Sequence, residues 1–380
     1  MAFATFLAFA LCLPAQQSAP QQKAPEKAPG KAAAEKPAEK PAPAPAEPRD
    51  YRETPYIYDI NGNRVPASAG SQQQRLGAGP DAPILREDLA RGPEGLPVVV
   101  RKGEERVLSG QPDDRQSERV IQRYDPMGRP TTKEVIKTER KKMPDGTVET
   151  TDVLYNQDVN GQLQFVERRT TTEKKGDSGG YATTVVERPS INGGTRVVER
   201  DERTETKQGS VTNADSSRKF LDANGNYVER EREVSTATKS GDTTSSDSKK
   251  WQLGPTGQMD FVSQTIATTI QKPDGSQIED AEVYTTKIAG TTPDLNHPNT
   301  PSLDAKIHKE RQVQPDGKIV ETTSERMRQV ADPSRLSGLS VTKQITTPTV
   351  DGKTTQTTVS ERDANGKLIP VRSQVEQETK

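Results

Sequence analysis

Cysteine occurs once in this sequence, at Cys12. A chain that has lost residue 12 therefore has no disulfide framework, no thiolate nucleophile and no cysteine-ligated zinc. Histidine is nearly as scarce: His297 and His308 are the only two, eleven residues apart. Two such ligands without a cysteine do not make a metal centre, so no metal is expected. Aromatic residues are 4% of the chain, which leaves little for stacking on sugars or bases. Charge of one sign is also lacking. The 54 basic and 55 acidic residues give a net charge of -1, so no overall pull toward nucleic acid or anionic lipid is expected. No Gly-x-Ser-x-Gly, Walker loop or His-Glu-x-x-His occurs. No catalytic residue, cofactor site or cofactor is expected, and the chain does not read as an enzyme.

Large apolar residues are few as well. Leu, Ile, Val and Phe together are 65 of 380 residues, about 17%. That is below the roughly 20% at which core burial loses to conformational entropy. Val nevertheless outnumbers Leu and Thr is abundant, a bias toward strand over helix. The expectation is a thin β structure in water, with an exported disordered polyampholyte as the alternative.

The longest apolar run is residues 2–13, "AFATFLAFALCL". Twelve residues are too few to span a bilayer as a helix, which needs about 20. They fit the central region of a secretory signal over 1–15, with cleavage after Ala15 or Ala19. Cys12 is the candidate lipidation site, although Leu11 stands where a small residue normally precedes an acylated cysteine. A membrane is expected to be met only through that signal or that lipid. Residues 16–50 alternate Pro with Ala, Lys and Glu, which opposes helix and sheet and predicts a disordered, extended tether. Fully extended, such a segment reaches ~100 Å.

From 117 to 380 the chain is punctuated by turn signals of two alternating kinds. The first kind is "YDPMGRP" at 124, "QDVNGQL" at 157, "SINGGTR" at 190, "LDANGNY" at 221, "LGPTGQM" at 253 and "RDANGKL" at 362. Its candidate turn residues are Asp125, Gly128, Gly161, Gly194, Asp222, Gly225, Asp363 and Gly366. The second kind includes "MPDGT" at 143, "KPDGS" at 272 and "QPDGK" at 314, with Gly146, Gly275 and Gly317 as turn residues. "KGDSG" at 175, "KQGS" at 207, "SGDT" at 240 and "VDGK" at 350 belong with it. Gly, and less readily Asn, accept the positive φ of tight hairpin turns, while Pro sets the first corner.

Turns thus recur about every 16 residues, and the two-strand unit about every 32. The predicted fold is all-β, an elongated antiparallel meander of long polar strands, about 14 of them in seven units. Alternation along 226–236 puts Val228, Arg230, Arg232 and Val234 on one face and Tyr227, Glu229, Glu231 and Glu233 on the other. Neither face is apolar, which opposes a lipid-facing barrel and a sandwich. "DANGN" at 222 reads as a turn rather than a calcium loop, because its glycine is fourth and not sixth. Trp251, the only tryptophan, is expected to start a turn and to cover a strand edge. Before the array, 51–116 reads as mostly irregular, with a short helix at 82–92 and a hairpin at 97–108 around Lys102-Gly103. Long loops are expected at 288–304 and 330–340.

The segment "RYDPMGRP" resembles the YD repeats of Rhs-type and teneurin-like secreted proteins, through Tyr124, Asp125, Gly128 and Arg129. "YIYDINGNR" is similar through Tyr58, Asp59 and Gly62, with Arg64 one place late. The resemblance implies a secreted β-repeat structure and no particular activity. Together these readings predict an exported, non-catalytic β protein of a bacterial cell envelope or surface, a spacer or adhesin-like scaffold. Its expected partners are an envelope glycan or another surface protein, and no nucleic acid. The alternative is a polysaccharide-binding or polysaccharide-processing protein with its site in 288–304.

Overall fold

The computed structural model describes residues 50–58, 64–66, 70–76, 81–92, 94, 96–111, 113–222, 224–286, 300–328, 335–363 and 365–379. Its strands, in chain order, begin with β1 Asp50–Tyr58, β2 Arg64–Pro66, β3 Gly70–Arg75, β4 Ile84–Arg91 and β5 Pro97–Gln111. Next come β6 Asp114–Tyr124, β7 Pro130–Lys142, β8 Val148–Gln157, β9 Leu163–Gly176, β10 Gly179–Pro189 and β11 Thr195–Gln208. They are followed by β12 Val211–Leu221, β13 Tyr227–Ser240, β14 Thr243–Leu253, β15 Met259–Gln271 and β16 Gln277–Thr285. The last are β17 Ser302–Val313, β18 Ile319–Met327, β19 Gly338–Thr349, β20 Gly352–Arg362 and β21 Leu368–Thr379.

All 21 strands belong to one sheet, and no helix occurs among the described residues. From β3 onward each strand pairs antiparallel with the next, the meander that the turn signals predict. The sheet then closes on itself. β1 pairs antiparallel with β21 from Asp50↔Thr379 to Ile57↔Arg372, and its other side pairs with β3 and the short β2. With β2 a side pairing on β1, 20 strands make the ring. Closure leaves no unpaired edge between β21 and β3 to template aggregation, the standard hazard of a long polar strand.

Residues 51–116 depart from the sequence reading. Residues 84–91 are strand β4, not a helix, because the ladder from Ile84↔Glu105 to Arg91↔Pro97 uses backbone groups that an isolated short helix would leave to water. The hairpin expected around Lys102-Gly103 is one continuous strand, β5. Gly103 has no positive φ and sits opposite Arg86, so nothing turns there. The array also holds more strands than expected: β6 through β21 is sixteen rather than about fourteen. Trp251 lies within β14 and not in a turn, and its ring meets Phe261 of β15 edge-on at 5.9 Å.

The buried core is thin. Its apolar members are Ile121, Val135, Val186, Ala281, Ala305 and Val359, scattered over the ring. What joins the strands, besides the ladder, is a set of cross-strand polar pairs, each contributing about 0.2–1 kcal/mol. Examples are Thr171–Thr184 at 3.0 Å, Thr346–Thr355 at 3.1 Å and Arg232–Asp215 at 2.7 Å.

Candidate functional site

The ring has two rims with different turn chemistry. At one rim lie the turns 125–129, 158–162, 190–194, 222–226, 254–258 and 363–367. Each closes with the same pair of backbone bonds, as in Gly225 N to Asp222 O at 3.2 Å and Asp222 N to Asn226 O at 2.9 Å. This is a type I turn followed by a glycine in the left-handed region, Gly225 at φ +84°. Gly128, Gly161 and Gly366 hold the same place, whereas in the third turn Gly193 does and Gly194 follows it. Where aspartate opens the turn, it folds beneath it. Asp222 Oδ1 accepts from Asn224 N and Asn226 N, both at 2.8 Å, and Asp125, Asp158 and Asp363 repeat the arrangement. The backbone N–H of Asn226 is the main reason the Asp222 carboxyl is held below its usual range, and Gln162 does the same for Asp158. Asp222 is thus spent on its own turn.

Below this rim the second strand of successive hairpins carries one extra residue. The unpaired residues are Val100, Val166, Val198, Arg230, Val262, Asp304 and Val371. From Val166 to Val262 they fall 32 residues apart, the spacing of the turn unit. Such bulges bend a strand and sharpen its twist, which suits them to the mouth of a closed sheet. Two of them are not Val. Arg230 lays its guanidinium 4.9 Å from the Phe220 ring, and the half-buried Asp304 carboxyl is raised by desolvation, with Arg328 opposing.

The opposite rim, named the acidic rim for the aspartates in its turns, also carries lysines beside them, such as Lys142, Lys174, Lys272 and Lys353. Its turns place an aspartate at the tip: Asp113, Asp145, Asp177, Asp242, Asp274, Asp316 and Asp351, with Ser210 the exception. Gly146, Gly275 and Gly317 have positive φ here, as do Gly209 and Gly241 in the shorter turns of this rim. Asp145 is the third residue of its turn and not the first. It accepts from Thr147 N and Oγ1 and from Lys174 Nζ, which lowers its carboxyl to about 2. Asp113 pairs with Lys142 at 3.0 Å.

Between the rims, a charged cleft lies across β10–β14. It is about 250 Å³ and is lined by Asp201, Arg203, Arg218, Glu231, Glu233 and Lys250, among others. Arg218 is its hub, 3.0 Å from Asp201, 3.3 Å from Glu199 and 3.9 Å from Glu231. These acids and bases satisfy one another. A second cleft of about 310 Å³ lies at the closure, lined by Arg52, Gln72, Gln74, Leu85, Glu87 and Gln377, with others. Sequence reading missed both, because the first depends on the register between neighbouring strands and the second on the closure of β1 against β21.

His308 bonds Asp280 at 2.7 Å on β16–β17. No group of three or more metal-ligating side chains occurs among the described residues. Cys12, His297, the tether and residues 288–299 of the long loop lie outside the described residues, as do 330–334 of the shorter one. No family model and no curated protein matches this chain. Among solved structures it is similar to "Salmonella typhi OmpF complex with Daunomycin", at 6% identity and a TM-score of 0.30, over 87% of this chain and 96% of that one.

Proposed function

We propose that this chain is an exported, non-catalytic scaffold of the bacterial cell envelope or surface, a rigid polar spacer that makes its contacts through its rims. The observation that carries the reading is the chemistry of the two faces. In mid-sheet, one face bears Arg218, Asp201, Glu231 and Arg203, and the other bears Lys219, Glu202, Arg232 and Asp215. A charge turned toward lipid near a bilayer midplane costs ~2–4 kcal/mol, and here both faces carry charges across β11–β13. The ring is built to stand in water on both sides. Export rests on the run 2–13 followed by Ala15.

Intact-mass and N-terminal peptide analysis of the protein isolated from its own cells tests the reading. The expected first residue is Gln16 or Pro20, in material that needs no detergent to stay in solution. Lipid-modified Cys12 as the first residue would keep export and add an anchor. A mature protein that begins at Met1 or Ala2 would overturn it.

A further inference from the structure

The bulged rim carries a feature that neither the polar sheet nor the turn chemistry requires. Along one arc of it, four consecutive connections each expose a large aliphatic side chain, at the closing residue of the first connection and at the tip of the other three. These are Leu96, 65% exposed, Met127, 72%, Val159, 101%, and Ile191, 102%. They are the most exposed large apolar residues of the described chain apart from Val350 on the other rim. Met127, Val159 and Ile191 sit on turns closed by Gly128, Gly161 and Gly193 in the left-handed region, so their tips are free to be polar. In the turn 254–258 of the same rim, the two tip positions are Pro255 and Thr256.

Two cations flank the arc. Arg129 and Arg196 are exposed and make no ion pair among the described residues. The aspartates nearby, Asp125 and Asp158, are folded under their turns onto backbone N–H groups.

We infer that this arc is a docking surface for an anionic lipid bilayer, with the aliphatic tips entering the headgroup layer and Arg129 and Arg196 on lipid phosphates. Spacing selects the occupant. Neighbouring tips are two strands apart, roughly 10 Å, too far to pack on one another as a single apolar patch. A protein partner would need a separate pocket for each tip, whereas a fluid bilayer accepts them one by one. Charge agrees with that choice: unpaired arginine at a membrane surface is drawn to anionic lipid. The proposal goes beyond the scaffold reading by naming what one rim meets, and it does not depend on export.

Vesicle co-sedimentation of the full chain tests it, with about 30% phosphatidylglycerol in phosphatidylcholine against phosphatidylcholine alone. The apolar N-terminal run is common to all variants, so differences report the rim. The quadruple variant Leu96→Ser, Met127→Ser, Val159→Ser, Ile191→Ser should lower partitioning about tenfold or more. Arg129→Gln with Arg196→Gln should lower it about tenfold on anionic vesicles and leave neutral vesicles unchanged. Val350→Ser, equally exposed on the acidic rim, should change nothing. A quadruple variant within about twofold of the parent, or an equal loss in Val350→Ser, overturns the assignment. So does a parent dimer in sedimentation equilibrium that the quadruple variant abolishes without any change on vesicles, which would give the arc to a second copy instead. Failure here leaves the N-terminal mass untouched, so the scaffold reading is judged separately.

Discussion

The two rims use the same residue in the same kind of turn and obtain opposite surfaces. At the bulged rim, Asp222 opens its turn and its carboxylate points back under the chain to Asn224 N and Asn226 N. At the acidic rim, Asp145 is third in its turn and its carboxylate reaches one backbone N–H, one hydroxyl and the ammonium of Lys174. Moving aspartate two positions along the turn decides whether its carboxylate is taken up by its own turn alone or also by an ammonium from a neighbouring strand. A composition count cannot see this; the position within the turn carries the information.

The largest expected effect comes from forcing the rims to exchange. Deleting Gly209–Asn224 removes β12 and reverses every later strand, so bulged-rim turns move to the acidic rim. It also leaves an odd number of strands, and β21 would meet β1 parallel where the closure now pairs them antiparallel. That chain should not form the ring and should aggregate through its open edges. Deleting the whole unit, Gly194–Asn224, keeps strand direction and joins Gly193 to Gly225 in a turn of the same glycine pattern. Its far-UV circular dichroism should retain the strand signal and its solution scattering should show a smaller ring. Equal behaviour of the two deletions would mean the two-strand unit is not the element of construction.

Next in size is the glycine of a bulged-rim turn. Gly225 has φ +84°, where a β-branched residue is strained, and no neighbouring atom lies where a Cβ would go. Gly225→Val should therefore cost about 1–2 kcal/mol through backbone strain alone. Ser235→Val, inside β13, should be within about 0.5 kcal/mol of neutral by strand propensity. Urea midpoints would show the difference, and equal midpoints would break the distinction between turn and strand at these positions.

How much of this was readable beforehand follows from what each feature depends on. Turn positions depend on a few adjacent residues, so Gly128, Gly161, Gly225 and Gly366 were legible, as was the alternation of two turn chemistries. Residues 84–91 were not, because "ILREDLAR" has apolar spacing that suits a short helix and becomes a strand only through its partners on β3 and β5. Closure was illegible for a related reason. Nothing local in "DYRETPYIY" states that it pairs with a segment more than 300 residues away. The bulge series could have been found, since Val166, Val198, Arg230 and Val262 sit at one fixed place after their turns, but a bulge leaves no residue signature as sharp as a glycine.

Asp304 sharpens the comparison within the bulged rim, because most other bulges there hold Val. Its carboxyl is raised by desolvation, so ionising it in the folded state is unfavourable. The sign is opposite to that of Asp145: the Asp304 penalty exists above its folded pKa and is relieved as pH falls through it. For Asp145, lowered to about 2, the contribution is present above the unfolded carboxylate value near 4 and is lost as pH falls toward 2. Asp304→Val should raise stability by about 0.5–1 kcal/mol at pH 7 and gain less at pH 4. Asp145→Asn should do the reverse, lowering stability at pH 7 and converging with the parent near pH 2. Urea titrations at three pH values check both signs, and a parallel pH trend in the two variants would contradict the assigned causes.

The smallest expected effect lies between the rims, at Arg218. Its guanidinium contacts Glu199, Asp201 and Glu231, and those carboxylates raise its pKa, the Asp201 hydrogen bond most. The side chain is nonetheless 46% exposed, so water screens each contact. Exposed pairs contribute about 0.2–1 kcal/mol each and do not add fully when they share one cation. Removing the cation also leaves three acids facing one another, with only Lys250 near Glu231. Arg218→Gln should therefore cost about 0.5–1 kcal/mol at low salt, and roughly half of that should vanish at about 1 M sodium chloride, where the Debye length is about 3 Å. Restoring neutrality with Asp201→Asn in the same chain should recover most of the loss, because the remaining acids are then no more crowded than those on neighbouring rungs. A loss above about 2 kcal/mol that salt does not change would mean the cleft is drier than its exposure implies, with Arg218 acting as a buried ion pair.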